Sequence, residues 1–110
     1  MADPILTYRM PGPSVVQDED VQRLHDELHA LIDGHDQARV AVDCSETHYV
    51  SSRVLGLLVS FCTGVCDRGG QVVLYGVTPA TERVLNVTRL STLLTVVENE
   101  SEARSRLGAS

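Results

Sequence analysis

Two hydroxyls stand side by side at Ser51 and Ser52. The apolar residues that follow them fall at positions 54, 55, 58, 61, 62 and 65. Spacing by three and four marks one face of a helix, so the serine pair opens that helix. A serine in such a place can do two things. Its oxygen can accept a hydrogen bond from one of the unpaired backbone N–H groups of the first turn. It can also carry a phosphate, whose charge suits the positive end of the helix dipole. By residue type alone the cap is the plainer reading. His48 lies four residues before Ser52, and a nucleophile–base pair can be drawn between them. They are separated by a loop-to-helix junction, however, and no carboxylate is evidently placed to orient the imidazole. The chain contains no G-x-S-x-G and no HExxH, and Gly69-Gly70 is a pair rather than a phosphate-binding loop. No enzymatic activity is expected.

Metal and thiol chemistry are weighed the same way. His25 and His29 lie at the i, i+4 spacing that can bind a metal. No third ligand is evident beside them, so the expectation is a solvated helix face. Cys44, Cys62 and Cys66 are an odd number of cysteines, which does not suggest a secreted disulfide framework. Cys62 and Cys66 share a helix face, and buried core thiols are expected, with a thiol-responsive role as the alternative. Two thiols and a distant His48 make weak zinc ligands. No metal and no cofactor are expected.

Strands and helices alternate around these residues. Ile5 to Met10 reads as a strand with Leu6, Tyr8 and Met10 on one side. Pro11-Gly12-Pro13 breaks it, and Ser14 to Val16 is a short extended or turn segment. A helix opens at Gln17 to Asp20 with Asp18 as its N-cap. Its stripe is Val21, Leu24, Leu28, Leu31 and Ile32, and Gly34 is the stop. Arg39 to Cys44 is a strand whose unbroken Val40-Ala41-Val42 implies burial on both faces. The central helix runs over 51–67, with Gly64 read as a place of close packing. Gln71 to Val77 is the third strand. Thr78 caps a third helix with Pro79 at its first position, and Val84, Leu85 and Leu90 face inward. Leu93 to Glu98 is a fourth strand, and a last helix over 100–107 is capped near Asn99. The alternation predicts a mostly parallel α/β sheet. In such sheets functional groups gather at the carboxyl ends of the strands, where Ser51-Ser52 and Thr78-Pro79 both fall.

Composition narrows the partners. The 110 residues, 43% of them hydrophobic, suit one domain with a core of its own. One Phe and no Trp make that core aliphatic. All nine basic residues are arginines, and 15 acidic residues leave a formal net charge of −6. That balance argues against nucleic acid, which needs basic residues to replace phosphate counterions, and against anionic membrane surfaces. No apolar run approaches the roughly 20 residues of a membrane span, and the N-terminus lacks a signal-peptide layout. A cytoplasmic protein is expected.

The stretch from the strand ending at Asp43, through the loop Cys44 to His48, to Tyr49-Val50-Ser51-Ser52-Arg53-Val54-Leu55-Gly56 resembles the centre of a STAS domain. This is the family of bacterial anti-sigma factor antagonists. In that family D-S-[ST]-G-L-G opens a helix after such a loop, and its first serine is phosphorylated. Ser52 takes that serine's place, and Leu55-Gly56 match the closing L-G. Ser51 stands where the family has Asp, and Val54 where it has its first Gly. A related subgroup with F-[LI]-S-S-x-x-L-G fits better. Gly69 to Leu74 resembles the family's R-G-G-x-[LV]-x-L strand entry. Thr78-Pro79-Ala80 with Val84-Leu85 and Thr88-Arg89-Leu90 resembles its next helix, and Tyr8 to Leu24 its first strand and helix. The likeness spans residues 5–107.

The resemblance implies a STAS-like α/β fold, one domain over 1–110 with a mostly parallel four-stranded sheet and four helices, lacking the family's first strand. It implies a non-enzymatic anti-sigma factor antagonist, a monomer or weak homodimer. Such a protein binds an anti-sigma factor/serine kinase in a phosphorylation-controlled partner switch that regulates transcription, and a phosphoserine phosphatase reverses the switch. Ser52, ahead of Ser51, would accept the phosphate. Val50, Ser51, Ser52, Arg53, Gly56, Thr78 and Pro79 would border the partner. The alternative is a non-phosphorylated scaffold or sensor module in a signalling assembly.

Overall fold

A computed structural model describes residues 4–15 and 17–108. In chain order the elements are β1 (Ile5–Arg9), β2 (Ser14–Val15), α1 (Asp18–Ile32), β3 (Arg39–Asp43), β4 (Tyr49–Val50), α2 (Ser52–Asp67), β5 (Gln71–Tyr75), α3 (Pro79–Val87), a 3-10 turn (Leu90–Thr92), β6 (Thr95–Val97) and α4 (Glu100–Arg106). The main sheet has the order β1-β3-β5-β6, and every pairing is parallel. The expected four-stranded parallel sheet with four helices is therefore present. β2 and β4 form a second, two-stranded parallel sheet that the sequence reading had not anticipated. Val16, assigned to the short segment after Pro13, lies outside the described residues.

The central strand explains the layering. Val40, Ala41 and Val42 have no measurable exposure. Their side chains alternate across the sheet, as pleating requires. Val40 and Val42 join the larger core with Leu24 and Leu28 of α1, six residues of α2 and Leu85 of α3. Ala41 joins a smaller core with Val73, Ala103 and Leu107 under α4. Three helices thus cover one face and one short helix the other.

All six predicted apolar positions of α2 are buried: Val54, Leu55, Leu58, Phe61, Cys62 and Val65. Burying such side chains stabilises by about 1.5–3 kcal/mol each. That far exceeds the roughly 1 kcal/mol that each of Gly56 and Gly64 costs inside a helix. Gly64 does not serve close packing, because a Cβ built there meets nothing within 4 Å. The close approach falls on Gly70, where a Cβ would lie 2.3 Å from the Ala38 carbonyl oxygen.

Other expectations are corrected. Asp18 is not the cap of α1. The N-cap is Gln17, which makes no side-chain cap bond, and Asp18 turns its carboxylate to Arg53 instead. Val84 does not face inward. Thr81 and Leu85 set the inner side of α3, and Val84, about 100° round the helix from Leu85, is 41% exposed. Cys66 is exposed, because Val65 takes the inward place in the last turn of α2. The last strand begins only at Thr95. The chain first makes its 3-10 turn, which leaves Leu93 exposed and Leu94 buried.

Candidate functional site

The loops at the carboxyl ends of β1 and β3 interlock. The Thr47 hydroxyl, buried, donates to the Pro11 carbonyl at 2.7 Å. The amides of His48 and Tyr49 both donate to the Pro13 carbonyl, at 2.8 and 3.1 Å. Gly12 lies so close to the second loop that a Cβ there would sit 1.7 Å from the Glu46 carbonyl oxygen. This contact admits glycine alone. From it the two short strands emerge in register, Ser14 beside Tyr49 and Val15 beside Val50. Three residues after Val15, α1 begins; two residues after Val50, α2 begins. The small sheet therefore sets two helix N-termini side by side, and Arg53 of α2 pairs with Asp18 of α1 across the gap.

The two serines divide the work that the sequence left open between them. Ser51 is the N-cap of α2, and its Oγ accepts from the Val54 amide at 3.3 Å. Ser52 is the first residue of the helix and is exposed. With the cap role taken by Ser51, the Ser52 hydroxyl is left at the positive end of α2, where the first turn carries no acidic residue. Gly56 is exposed one turn further on, with open space around it.

Thr78 and Pro79 follow β5 at the same edge. Gly76, at φ +72°, brings this loop against Ser45. The Thr78 Oγ1 accepts from the Thr81 amide at 3.4 Å and donates to the Thr81 hydroxyl at 3.2 Å, and Pro79 is exposed. Beneath the edge an apolar crevice is lined by Met10, Cys44, Val50, Leu55, Thr81 and Leu85 among others. Val50 thus packs inward against the core, while Tyr49 beside it is 67% exposed. Of the expected partner-bordering residues, Ser51, Ser52 and Arg53 are drawn together at the α2 start. Thr78 and Pro79 occupy the neighbouring helix start. Tyr49 and the acidic turn of α1 belong to the same surface but were missed. Only the long-range β2–β4 pairing places them there.

The thiols are divided too. The Cys44 Sγ lies 3.7 Å from the Met10 sulfur, and burial pushes its pKa up to about 12, with a smaller push from Asp43. Burial also pushes Cys62 up to about 12. Both are core thiols in their protonated form at neutral pH. His25 and His29 lie on α1, and no group of three or more His, Cys, Asp or Glu converges on a common point among the described residues.

The family model described as "Mlab, STAS domain" matches residues 14–96, most of the chain. The chain belongs to the STAS domain family. The STAS domain of a SulP transporter from Vibrio cholerae has the same fold, with a TM-score of 0.73 at 11% identity over 97% of this chain and 84% of that one. An anti-sigma-factor antagonist (STAS) domain protein from Planctomyces limnophilus gives 0.73 at 20% identity, over 84% and 79%. A sulfate transporter family protein from Wolinella succinogenes gives 0.74 at 17%, over 94% and 84%. At these identities the likeness is one of fold. No curated protein sequence matches the chain. Among the described residues of this STAS domain, no helix is long and apolar enough to cross a membrane.

Proposed function

We propose that this STAS domain is an anti-sigma factor antagonist, binding an anti-sigma factor/serine kinase through the edge where α1, α2 and α3 begin. Phosphorylation of Ser52 ends that binding, and a phosphoserine phosphatase restores it. One observation carries the reading. Ser52 is exposed at the first position of α2 while Ser51 already caps the helix. A phosphate on Ser52 therefore need not displace a structural hydrogen bond. It adds about −1.5 to −2 charges and three strong acceptors. The α2 dipole accommodates that charge in the free protein. A partner docked on Ser52, Arg53, Gly56 and Pro79 meets new bulk and charge and leaves. The domain works by binding, not by catalysis.

The test is to incubate the protein with candidate anti-sigma factor kinases and ATP, and to map residues 40–68 by mass. Phosphate on Ser52, lost in Ser52→Ala, together with release of the kinase, is the expected result. Stable binding to such a partner with no phosphate on Ser52 under any condition overturns the switch.

A second reading has its own observations. The STAS domain of a SulP transporter also shares this fold, and Ser51 and Val54 depart from the phosphorylated motif. On that reading the same edge docks constitutively as a scaffold or sensor module. A Ser52→Asp variant that holds its partner as tightly as the parent selects it.

A further inference from the structure

Helix α1 exposes His25 and His29 one turn apart. The imidazole centroids lie 4.3 Å from each other, with the ring planes inclined by 39°. Each ring is braced from outside the pair. His25 Nδ1 lies 3.3 Å from Asp26 Oδ1. In the neutral tautomer that donates Nδ1–H to this carboxylate, the lone pair of His25 sits on Nε2. Asp26 is itself fixed by the Gln22 side-chain amide, which donates to the same oxygen at 2.9 Å. His29 rests edge-on against Phe61 of α2, at 6.0 Å and 82°.

Spacing alone reads as a solvated face. The geometry adds two exposed rings whose centroids are 4.3 Å apart, and a carboxylate beside one of them. Carboxylate–imidazole–metal is the arrangement by which proteins fix the tautomer of a ligating histidine and raise its basicity.

We propose that His25 and His29 form a surface binding site for a first-row divalent cation that favours imidazole, such as Ni²⁺, Zn²⁺ or Cu²⁺, with Asp26 orienting His25. Since no third side chain of the described residues converges there, water completes the coordination, and the ion exchanges rather than staples the fold. Mg²⁺ and Ca²⁺ are excluded, because they need oxygen ligands. The site lies on α1 and does not depend on Ser52.

The experiment is calorimetric titration of the full chain with NiCl₂ and ZnCl₂, with MgCl₂ as control. One saturable equivalent of Ni²⁺ and of Zn²⁺ is expected, and no Mg²⁺ binding. His25→Ala and His29→Ala each remove the binding. Asp26→Asn, which keeps both ligands, weakens it about tenfold or more. His25→Gln and His29→Gln, closer in size, repeat the loss should an alanine variant unfold, and circular dichroism reports folding in each. Absence of a saturable site overturns the proposal. So does binding that survives in folded His25 and His29 variants and disappears in Cys66→Ser.

Discussion

Two helices begin at the same edge of this domain, and they begin differently. α1 opens on three carboxylates, Asp18, Glu19 and Asp20, and its N-cap Gln17 makes no side-chain bond. α2 opens with a hydroxyl cap at Ser51, a bare hydroxyl at Ser52 and no acidic residue in its first turn. Each helix has the same backbone problem at its start: unpaired N–H groups and a partial positive charge. α1 answers it permanently with charge. α2 answers the hydrogen-bonding part with Ser51 and leaves the charge unanswered. The contrast teaches why an added negative charge is better accommodated at the second helix start than at the first.

The sharpest way to break the contrast is to break the clamp that makes it a single surface. Gly12→Ala drives a methyl into the Glu46 carbonyl and forces apart the loops that carry β2 and β4. Overpacking of this kind costs typically 1–3 kcal/mol, and a backbone oxygen cannot step aside as a side chain can, so a loss of about 3 kcal/mol is expected in urea unfolding. The two helix starts should separate with it, seen as faster amide exchange at residues 48–53. Wild-type stability in Gly12→Ala would mean that the loops do not constrain each other.

The caps themselves come next. Ser51→Ala removes the acceptor for the Val54 amide and should cost about 1 kcal/mol. Gln17→Ala removes no cap bond from α1 and should change stability by no more than a few tenths of a kcal/mol. Paired urea titrations read both. Equal losses would show that α1 is capped by its side chain after all, and the asymmetry would go.

Much of this fold was legible because it depends on periodicity. The α2 stripe and the Val40-Ala41-Val42 run are local patterns, and burial honours them residue by residue. The capping of α3 by Thr78 and of α4 by Asn99 was legible for the same reason, since each is settled within three residues. The misreadings arose where tertiary contact outweighs local preference. Asp18 is a good cap by type, but the extended backbone before the helix ends at Gln17, so Asp18 is already helical and its carboxylate is left to meet Arg53. Val84 is apolar, but Thr81 and Leu85 hold the inner side of α3. β2 is two residues long, too short to carry an alternation, and it exists only because the loop at 44–49 comes to meet it. Of the candidate site, Ser52 was singled out through its resemblance to a motif. Its division of labour with Ser51 was not legible, because the side-chain bond to Val54 chooses between two identical hydroxyls. The neighbouring α1 turn was beyond reach for want of the β2–β4 pairing.

A smaller effect tests the dipole argument directly. Ser52→Asp places a charge at the unanswered N-terminus of α2 and should stabilise the domain by about 0.3–1 kcal/mol at low salt, less as salt is added. Glu19→Gln at the start of α1 should cost less than this, because Asp18 and Asp20 remain in the same turn and are relieved of a like charge. Thermal melts of the two variants at low and high salt give the comparison. A destabilising Ser52→Asp would show that the carboxylates of α1 already dominate the field at both helix starts.

The smallest expected effect concerns the link between the two starts. Arg53 and Asp18 are paired, but their side chains are 64% and 84% exposed, so water screens most of the attraction. A double-mutant cycle with Arg53→Gln and Asp18→Asn should return a coupling below about 0.5 kcal/mol. The pair then cannot be what holds the helices in place; the β2–β4 sheet and the Gly12 contact do that. What the pair does is hold a cation one residue from Ser52. Phosphorylated Ser52 offers Arg53 a more highly charged partner than a single carboxylate. Repeating the cycle on phosphorylated protein should abolish the coupling to Asp18, because Arg53 has turned to the phosphate. A coupling that stays unchanged would mean that Arg53 ignores the modification and belongs to α1 throughout.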